Sequence, residues 1–158
     1  MAKLKINSVK HGSVEVLVDA VQLKRLKKHT WSVTKIGINL YSLTSVIKDG
    51  KYSKMYMHRF ITNAPSGFVV DHINHNTLDN RKNNLRVCTT SINSLNNSRK
   101  TKCGFANVNK VKNRYRAMIH VNGKAMHGGY FNTAEEAFDK AVSMKQKIYS
   151  EFKELANG

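Results

Sequence analysis

An aspartate and a histidine stand side by side in the stretch VVDHINHNTLDNRKNNLRVCTTSINSLNN, residues 69–97, followed by a run of asparagines. Histidine titrates near neutrality and is suited to take a proton from water. A carboxylate and an amide offer hard oxygen donors, which suit a divalent cation acting on a phosphate. Together these are the parts that phosphodiester hydrolysis requires: a deprotonated water in line with the leaving oxygen, and a counter-charge for a crowded phosphoryl centre. Asparagine is disfavoured inside regular elements and gathers in turns and caps. An Asp-His pair alone is usually a surface hydrogen-bonding pair, and an asparagine cluster alone is usually a loop. Their joint spacing points to a site.

The charge of the chain agrees with a phosphate-bearing partner. Its 158 residues carry 27 Lys plus Arg against 10 Asp plus Glu, a formal net charge of +17. Such a field concentrates polyanions at the surface, with nucleic acid as the leading partner. Basic proteins also bind anionic membranes, but here the basic residues are spread between strand-like segments and form no amphipathic membrane helix. Two cysteines, Cys88 and Cys103, lack CxxC spacing, so neither a disulfide framework nor a zinc ribbon is indicated. The N-terminal residues carry charge where a signal peptide needs an apolar run, and no segment has the length of a membrane span. The expected location is the cytoplasm, that of the host cell if the chain is phage-encoded.

The elements that must position the Asp-His pair follow from local pattern. VVDHI reads as a short strand, NHNTLDNRKN as a long loop, NLRVC as a second strand and TTSINSLNN as the start of a helix capped by Thr89 or Thr90. Ile92 and Leu95 give that helix an apolar face, with Asn93 and Asn97 four apart on another. Adjacent strand residues point to opposite faces, so Asp71 and His72 can serve one phosphate only where the strand ends or twists. Upstream, DAVQLKRLKKHTW predicts a helix with Asp19 as N-cap and Val21, Leu23 and Leu26 buried. YSLTSVIKDGKYSKMYMHRFI predicts two strands around an Asp49-Gly50 hairpin turn, and Pro65 marks a loop.

The order strand, loop, strand, helix, with DH on the first strand, NL opening the second and an asparagine in the first helical turn, resembles the HNH endonuclease family, and most closely its phage homing enzymes. The resemblance runs from MHRF at 57–60 through Asn97. It implies a ββα-metal fold that cleaves phosphodiester bonds with one divalent ion. It makes His72 the general base, Asn84 the central asparagine that ties the loop to the strands, and Asp71 and Asn93 the two protein ligands of the metal. The ion it implies is magnesium, with manganese as the alternative. One carboxylate and one neutral amide leave charge for the DNA to supply. Within this stretch His75 is read as a loop or phosphate contact. Arg81, Lys82 and Arg86 flank the pair as candidate backbone contacts. His58 and Arg59 match a strand that often precedes the motif, with Arg59 bracing the site or holding a phosphate.

The C-terminal third has its own pattern. RYRAMIHV and KAMHGGYF flank Asn122-Gly123, the strongest short hairpin signal. Tyr115, Ala117, Ile119 and Val121 alternate with Arg114, Arg116, Met118 and His120, so one face packs and the other carries arginines. A helix follows, with Thr133 and Glu136 as a capping box and Ala137, Phe138, Ala141, Met144 and Ile148 as its buried stripe. Residues 103–152, through GYF and AFDKAV, resemble the ethylene-response-factor type DNA-binding domain, which lays a three-stranded sheet in the major groove. That resemblance implies that Asn109, Lys110, Lys112, Arg114, Arg116 and Lys124 lie on or beside the DNA face. Two positions depart from that family's pattern: Asn107 stands where glycine is usual, and Gly128 where a larger apolar residue is usual.

The expected architecture is of the α+β class. It comprises an N-terminal β-rich segment (1–62), a central ββα-metal unit (63–97), a basic linker (98–104) and a DNA-binding domain of three strands and a helix (105–158). The expected partner is double-stranded DNA, with no membrane, and the chain acts as a monomer or weak dimer. One site in a monomer attacks one strand, which favours nicking. The alternatives are a non-catalytic DNA-binding regulator or packaging factor on the same scaffold, and a basic RNA-binding protein.

Overall fold

A computed structural model describes residues 2–96 and 100–157. Asn97, expected on the helix after the second strand, lies outside the described residues, as do Ser98 and Arg99 of the basic connector. The chain forms two compact units, Met1–Cys88 and Thr89–Gly158. Several small sheets and short helices make the fold a mixed one.

The first unit opens with a hairpin, β1 (Ala2–Ser8) and β2 (Gly12–Val18), paired antiparallel from Ala2↔Val18 to Ser8↔Gly12. Alternation sends Ile6, Val14, Val16 and Val18 inward, while Lys3 bonds Glu15 at 2.6 Å outside. The helix expected from Asp19 shrinks to a 3-10 turn (Ala20–Gln22) and the single turn α1 (Leu23–Leu26). Three causes are visible. The Asp19 carboxylate accepts from the Lys82 backbone N–H at 2.8 Å instead of capping its own helix. Like charges at Lys24 and Lys28 oppose extension. The Trp31 indole N–H donates to the Leu26 carbonyl at 2.8 Å, closing the turn. Leu26 is buried as expected, but Val21 is 81% exposed.

A three-stranded antiparallel sheet follows, β3 (Ser32–Ile36), β4 (Asn39–Lys48) and β5 (Lys51–Tyr56), in the order β3-β4-β5. Asp49 and Gly50 both take positive φ, 51° and 73°, the backbone of a tight two-residue hairpin turn. MHRF, expected as a strand, opens instead a helix, α2 (Met57–Thr62). Met57 and Ile61, one turn apart, are both buried by the helical period, and Asn63 ends the helix in the left-handed region. The last pair is β6 (Val69–His72) with β7 (Leu85–Cys88), antiparallel from Val69↔Cys88 to His72↔Leu85. One core cluster joins Ile6, Val16, Val18, Leu26, Trp31, Met57, Ile61 and Leu85. The last strand pair therefore rests on a core built mainly by residues before it.

The second unit holds α3 (Thr90–Ser94), capped by the Thr89 hydroxyl, which accepts from the Ile92 N–H. Then come β8 (Val108–Val111), β9 (Arg114–Val121) and β10 (Lys124–Phe131), in the order β10-β9-β8, and the long helix α4 (Ala134–Asn157) packed on all three strands. Asn122 and Gly123 have φ of 51° and 75°. The Thr133 hydroxyl accepts from the Glu136 N–H and the Glu136 carboxylate from the Thr133 N–H, each at 3.2 Å, which completes the capping box. Ala117, Ile119, Ala137 and Ala141 are buried between sheet and helix.

The two departures noted in the sequence have backbone reasons. Asn107 has φ 62°, a conformation natural to glycine that asparagine also tolerates. Gly128 is the extra residue of a β-bulge between His127 and Gly129, and a Cβ there would lie 2.6 Å from Met144 Sδ and 2.9 Å from Ala117 Cβ. Helix α4 comes too close at that point for any side chain.

Candidate active site

β6 ends at His72, so the strict alternation of the strand stops there. Asp71 and His72 are both buried, with different neighbours. Asp71 is paired with Arg86 directly across the β6–β7 ladder, and its carboxylate is ion-paired with that guanidinium. The His72 ring lies among other rings: His58 at 5.2 Å and 80°, and Tyr41 at 6.4 Å and 66°. His58 itself stacks on Tyr56 at 5.5 Å. Burial pushes the His72 pKa down, opposed by its contact with Asn80 and by the charge of Asp71. Burial pushes His58 further, to about 3. Both imidazoles are therefore neutral at neutral pH, the form in which an imidazole can accept a proton.

The asparagines of the long loop act mostly on the backbone. The Asn74 side-chain oxygen accepts from the Asn76 N–H at 2.9 Å, and that of Asn76 from the Leu78 N–H at 3.1 Å. These are successive Asx turns, each satisfying a backbone donor two residues on. His75 sits between them with φ 63°, exposed, its N–H bonded to the His72 carbonyl at 2.9 Å. Asn84 spans the loop: its oxygen accepts from the Asn74 N–H at 3.0 Å, and its amide donates to the Asp79 carbonyl at 2.8 Å.

Asp79 is 1% exposed and receives Arg81 at 2.7 and 2.5 Å and Asn74 at 2.9 Å. The hydrogen bond from Arg81 is the main reason its carboxyl lies below the usual range. The loop also joins the first hairpin: the Leu17 N–H donates to Leu78, and the Leu17 carbonyl accepts from Asn80 at 2.8 Å. The Thr77 hydroxyl donates to the Leu40 carbonyl at 2.6 Å.

Of the residues singled out in the sequence, Asp71, His72 and Asn84 stand on the same strand pair and its loop, whereas Asn93 belongs to α3 in the second unit, its N–H bonded to the Thr89 carbonyl. Arg59 donates to the carbonyls of Phe68, Ala64 and Pro65, bracing the turn before β6. Arg81 and Arg86 are engaged with Asp79 and Asp71, and Lys82 is exposed. In the C-terminal sheet the register divides the expected DNA-facing set. Asn109 pairs with Arg116, which pairs with Tyr130, and Arg114 is on the same face of β9. Lys110 pairs with Tyr115, and Lys124 with Val121, on the face that α4 covers, while Lys112 occupies the turn after β8 with φ 53°.

Sequence reasoning missed Tyr41, Tyr56, Asp79 and Asn80. Tyr41, on β4, meets the His72 ring directly and Tyr56 reaches it only through His58, contacts that no local pattern in the sequence displays. Asp79 and Asn80 fall in LDNR, where a buried acid beside an arginine was the available clue.

Residues 62–95 match the HNH endonuclease family. That segment is similar to an HNH endonuclease domain. The chain is also 33% identical over 135 residues to an uncharacterised HNH endonuclease of Acanthamoeba polyphaga mimivirus, covering 80% of this chain and 66% of that protein. It thus spans just under two thirds of that relative's length. No solved structure matches the chain. Both likenesses support a nuclease. The HNH segment includes Asp71, His72, Asn84 and Asn93 and ends before the C-terminal sheet, so nothing in the comparisons supports the ethylene-response-factor likeness.

HNH nucleases generally use a divalent metal ion. Among the described residues no three His, Cys, Asp or Glu side chains form a cation cage. The Asp71 carboxylate supplies one hard oxygen and is charge-compensated by Arg86. That donor chemistry fits an ion such as magnesium, which takes one or two carboxylates and leaves its remaining positions to water and substrate phosphate. Among the described residues no helix is long and apolar enough to cross a membrane.

Proposed function

We propose that this chain is a metal-dependent DNA endonuclease of the phage homing type that hydrolyses one strand of a duplex. The observation that carries the reading is a buried, neutral His72 at the end of β6, one residue after a buried carboxylate, inside the segment matching the HNH family. His72 draws the proton from a water aligned with the scissile phosphate. Asp71 would hold one magnesium ion through its carboxylate, with Asn93 as the proposed amide ligand and manganese able to substitute. Bound there, a divalent ion would supply Lewis-acid charge for the phosphate and the departing 3′ oxygen. Arg86 compensates Asp71, and Asn84 keeps the loop in shape.

In this reading residues 63–97 form a ββα-metal unit, 98–104 a basic linker and 105–158 an ethylene-response-factor type DNA-binding domain. Support for the last comes from three strands backed by one helix and from Asn109, Arg114 and Arg116 sharing one face. The protein works in the cytoplasm, as a monomer or weak dimer. Plasmid relaxation with and without magnesium, for the wild type and His72→Ala, tests the activity. Nicked circles from the wild type with magnesium, and a rate about 10²- to 10⁴-fold lower for the variant, are expected. Binding without cleavage under all metals would identify a DNA-binding regulator or packaging factor instead.

A further inference from the structure

We propose that Asn80 is a positioning residue that fixes which ring nitrogen of His72 carries the proton. The inference rests on the reading of His72 as general base. Asn80 Oδ1 lies 3.4 Å from His72 Nε2, and Asn80 Nδ2 donates to the Thr77 carbonyl at 3.3 Å. Reversing the amide would set its oxygen against that carbonyl oxygen, two acceptors with no hydrogen between them. The oxygen therefore faces the imidazole, and an acceptor is satisfied only by an N–H. Nε2 carries the hydrogen, and Nδ1 is left with the lone pair that takes the proton from water.

Asn80 is well placed to impose this choice. It is 1% exposed, and its backbone N–H is held by the Leu17 carbonyl at 2.8 Å, beside the bridge between Leu17 and Asp79. The hydrogen bond from Nε2 persists after Nδ1 is protonated, so one contact serves the imidazole before the proton moves and the imidazolium afterwards. The plane of the ring has a separate support: the edge-on contact with His58, itself stacked on Tyr56 at 17°. Tautomer and ring plane are thus set by different residues, Asn80 from the loop and His58 from α2.

The direct test is a long-range 1H–15N correlation spectrum of the full chain, with His72 identified by the signal lost in His72→Gln. Nε2 protonated and Nδ1 unprotonated is the expected pattern in the neutral ring; a protonated Nδ1 overturns the proposal, whatever the cleavage assay gives. In single-turnover cleavage of plasmid DNA with magnesium, Asn80→Ala should be about 10- to 100-fold slower, the range for lost orienting partners, at unchanged DNA affinity. Asn80→Asp keeps an acceptor oxygen toward Nε2 but sets its second oxygen against the Thr77 carbonyl, so it should recover only part of the rate. A wild-type rate in Asn80→Ala overturns the proposal, and if that variant does not fold the wild-type spectrum still decides. A chain with the expected tautomer that cuts no DNA under any metal would sink the nuclease reading and leave the Asn80 contact standing.

Discussion

Asp71 and Arg86 stand opposite each other on β6 and β7, and their ion pair is largely shielded from water, with side-chain exposures of 8% and 18%. Removing one partner leaves the other charge buried without compensation. Arg86→Ala should therefore cost about 3 kcal/mol or more, read from urea unfolding at pH 7. Asp71→Asn combined with Arg86→Leu should cost less than Arg86→Ala alone. Equal losses in the two proteins would mean that the pair is not the buried couple described.

Acid should destabilise the first unit through His58. In the unfolded chain this imidazole protonates near 6.5, whereas in the folded protein it does so near 3. Between those values the unfolded chain binds more protons, so stability falls as pH drops from 6.5, by up to about 1.4 kcal/mol per pH unit from this group. The depressed Asp79 carboxyl adds stability that is present above its ordinary 3.8 and is lost as pH falls through the lower folded value. Urea midpoints at pH 7, 6 and 5 should decline less steeply for His58→Phe than for the wild type. Parallel slopes would remove His58 from this account.

Gly128 is a packing requirement of the second unit. A Cβ there meets the Ala117 Cβ at 2.9 Å on a strand that cannot yield, as well as the more flexible Met144. Gly128→Ala should lower stability by about 1 to 3 kcal/mol, the usual cost of overpacking. An unchanged melting temperature would show that α4 moves off the sheet freely.

Register separates two cations that sequence grouped together. Arg116 lies half-buried on the face of the sheet away from α4, and Lys110 lies exposed on the face toward α4. If the face away from α4 meets DNA, Arg116→Ala should lower the slope of log affinity against log salt by about 1. Lys110→Ala should change that slope less. Titration of a labelled duplex at several salt concentrations distinguishes them, and a larger effect at Lys110 would assign DNA to the other side.

How much was legible depended on how far the deciding contact lay along the chain. The Asn122-Gly123 turn and the Thr133–Glu136 capping box are settled by residues within four of each other, and both could be read directly. The helix expected at Asp19 failed because its capping oxygen is taken by Lys82, 63 positions away. The strand expected at MHRF failed because Met57 and Ile61 follow a helical period that a four-residue window does not display. Asp71 and His72 were readable as chemical types, but their neighbours were not. Arg86 is visible as a cation, yet only the β6–β7 register brings it to Asp71. Asn80 looked like any other loop asparagine until Leu17 was seen to hold it.

The tie between Leu17 and the loop bears on how portable this cutting module is. The family motif begins at 62, but the backbone that steadies Leu78 and Asn80 comes from the first hairpin, and the apolar floor beneath Leu85 includes Trp31 and Val16. A graft of the motif alone into a foreign scaffold would discard its keystone. Chimeras that exchange targeting parts should keep the whole stretch from the first strand onward and make their joints downstream.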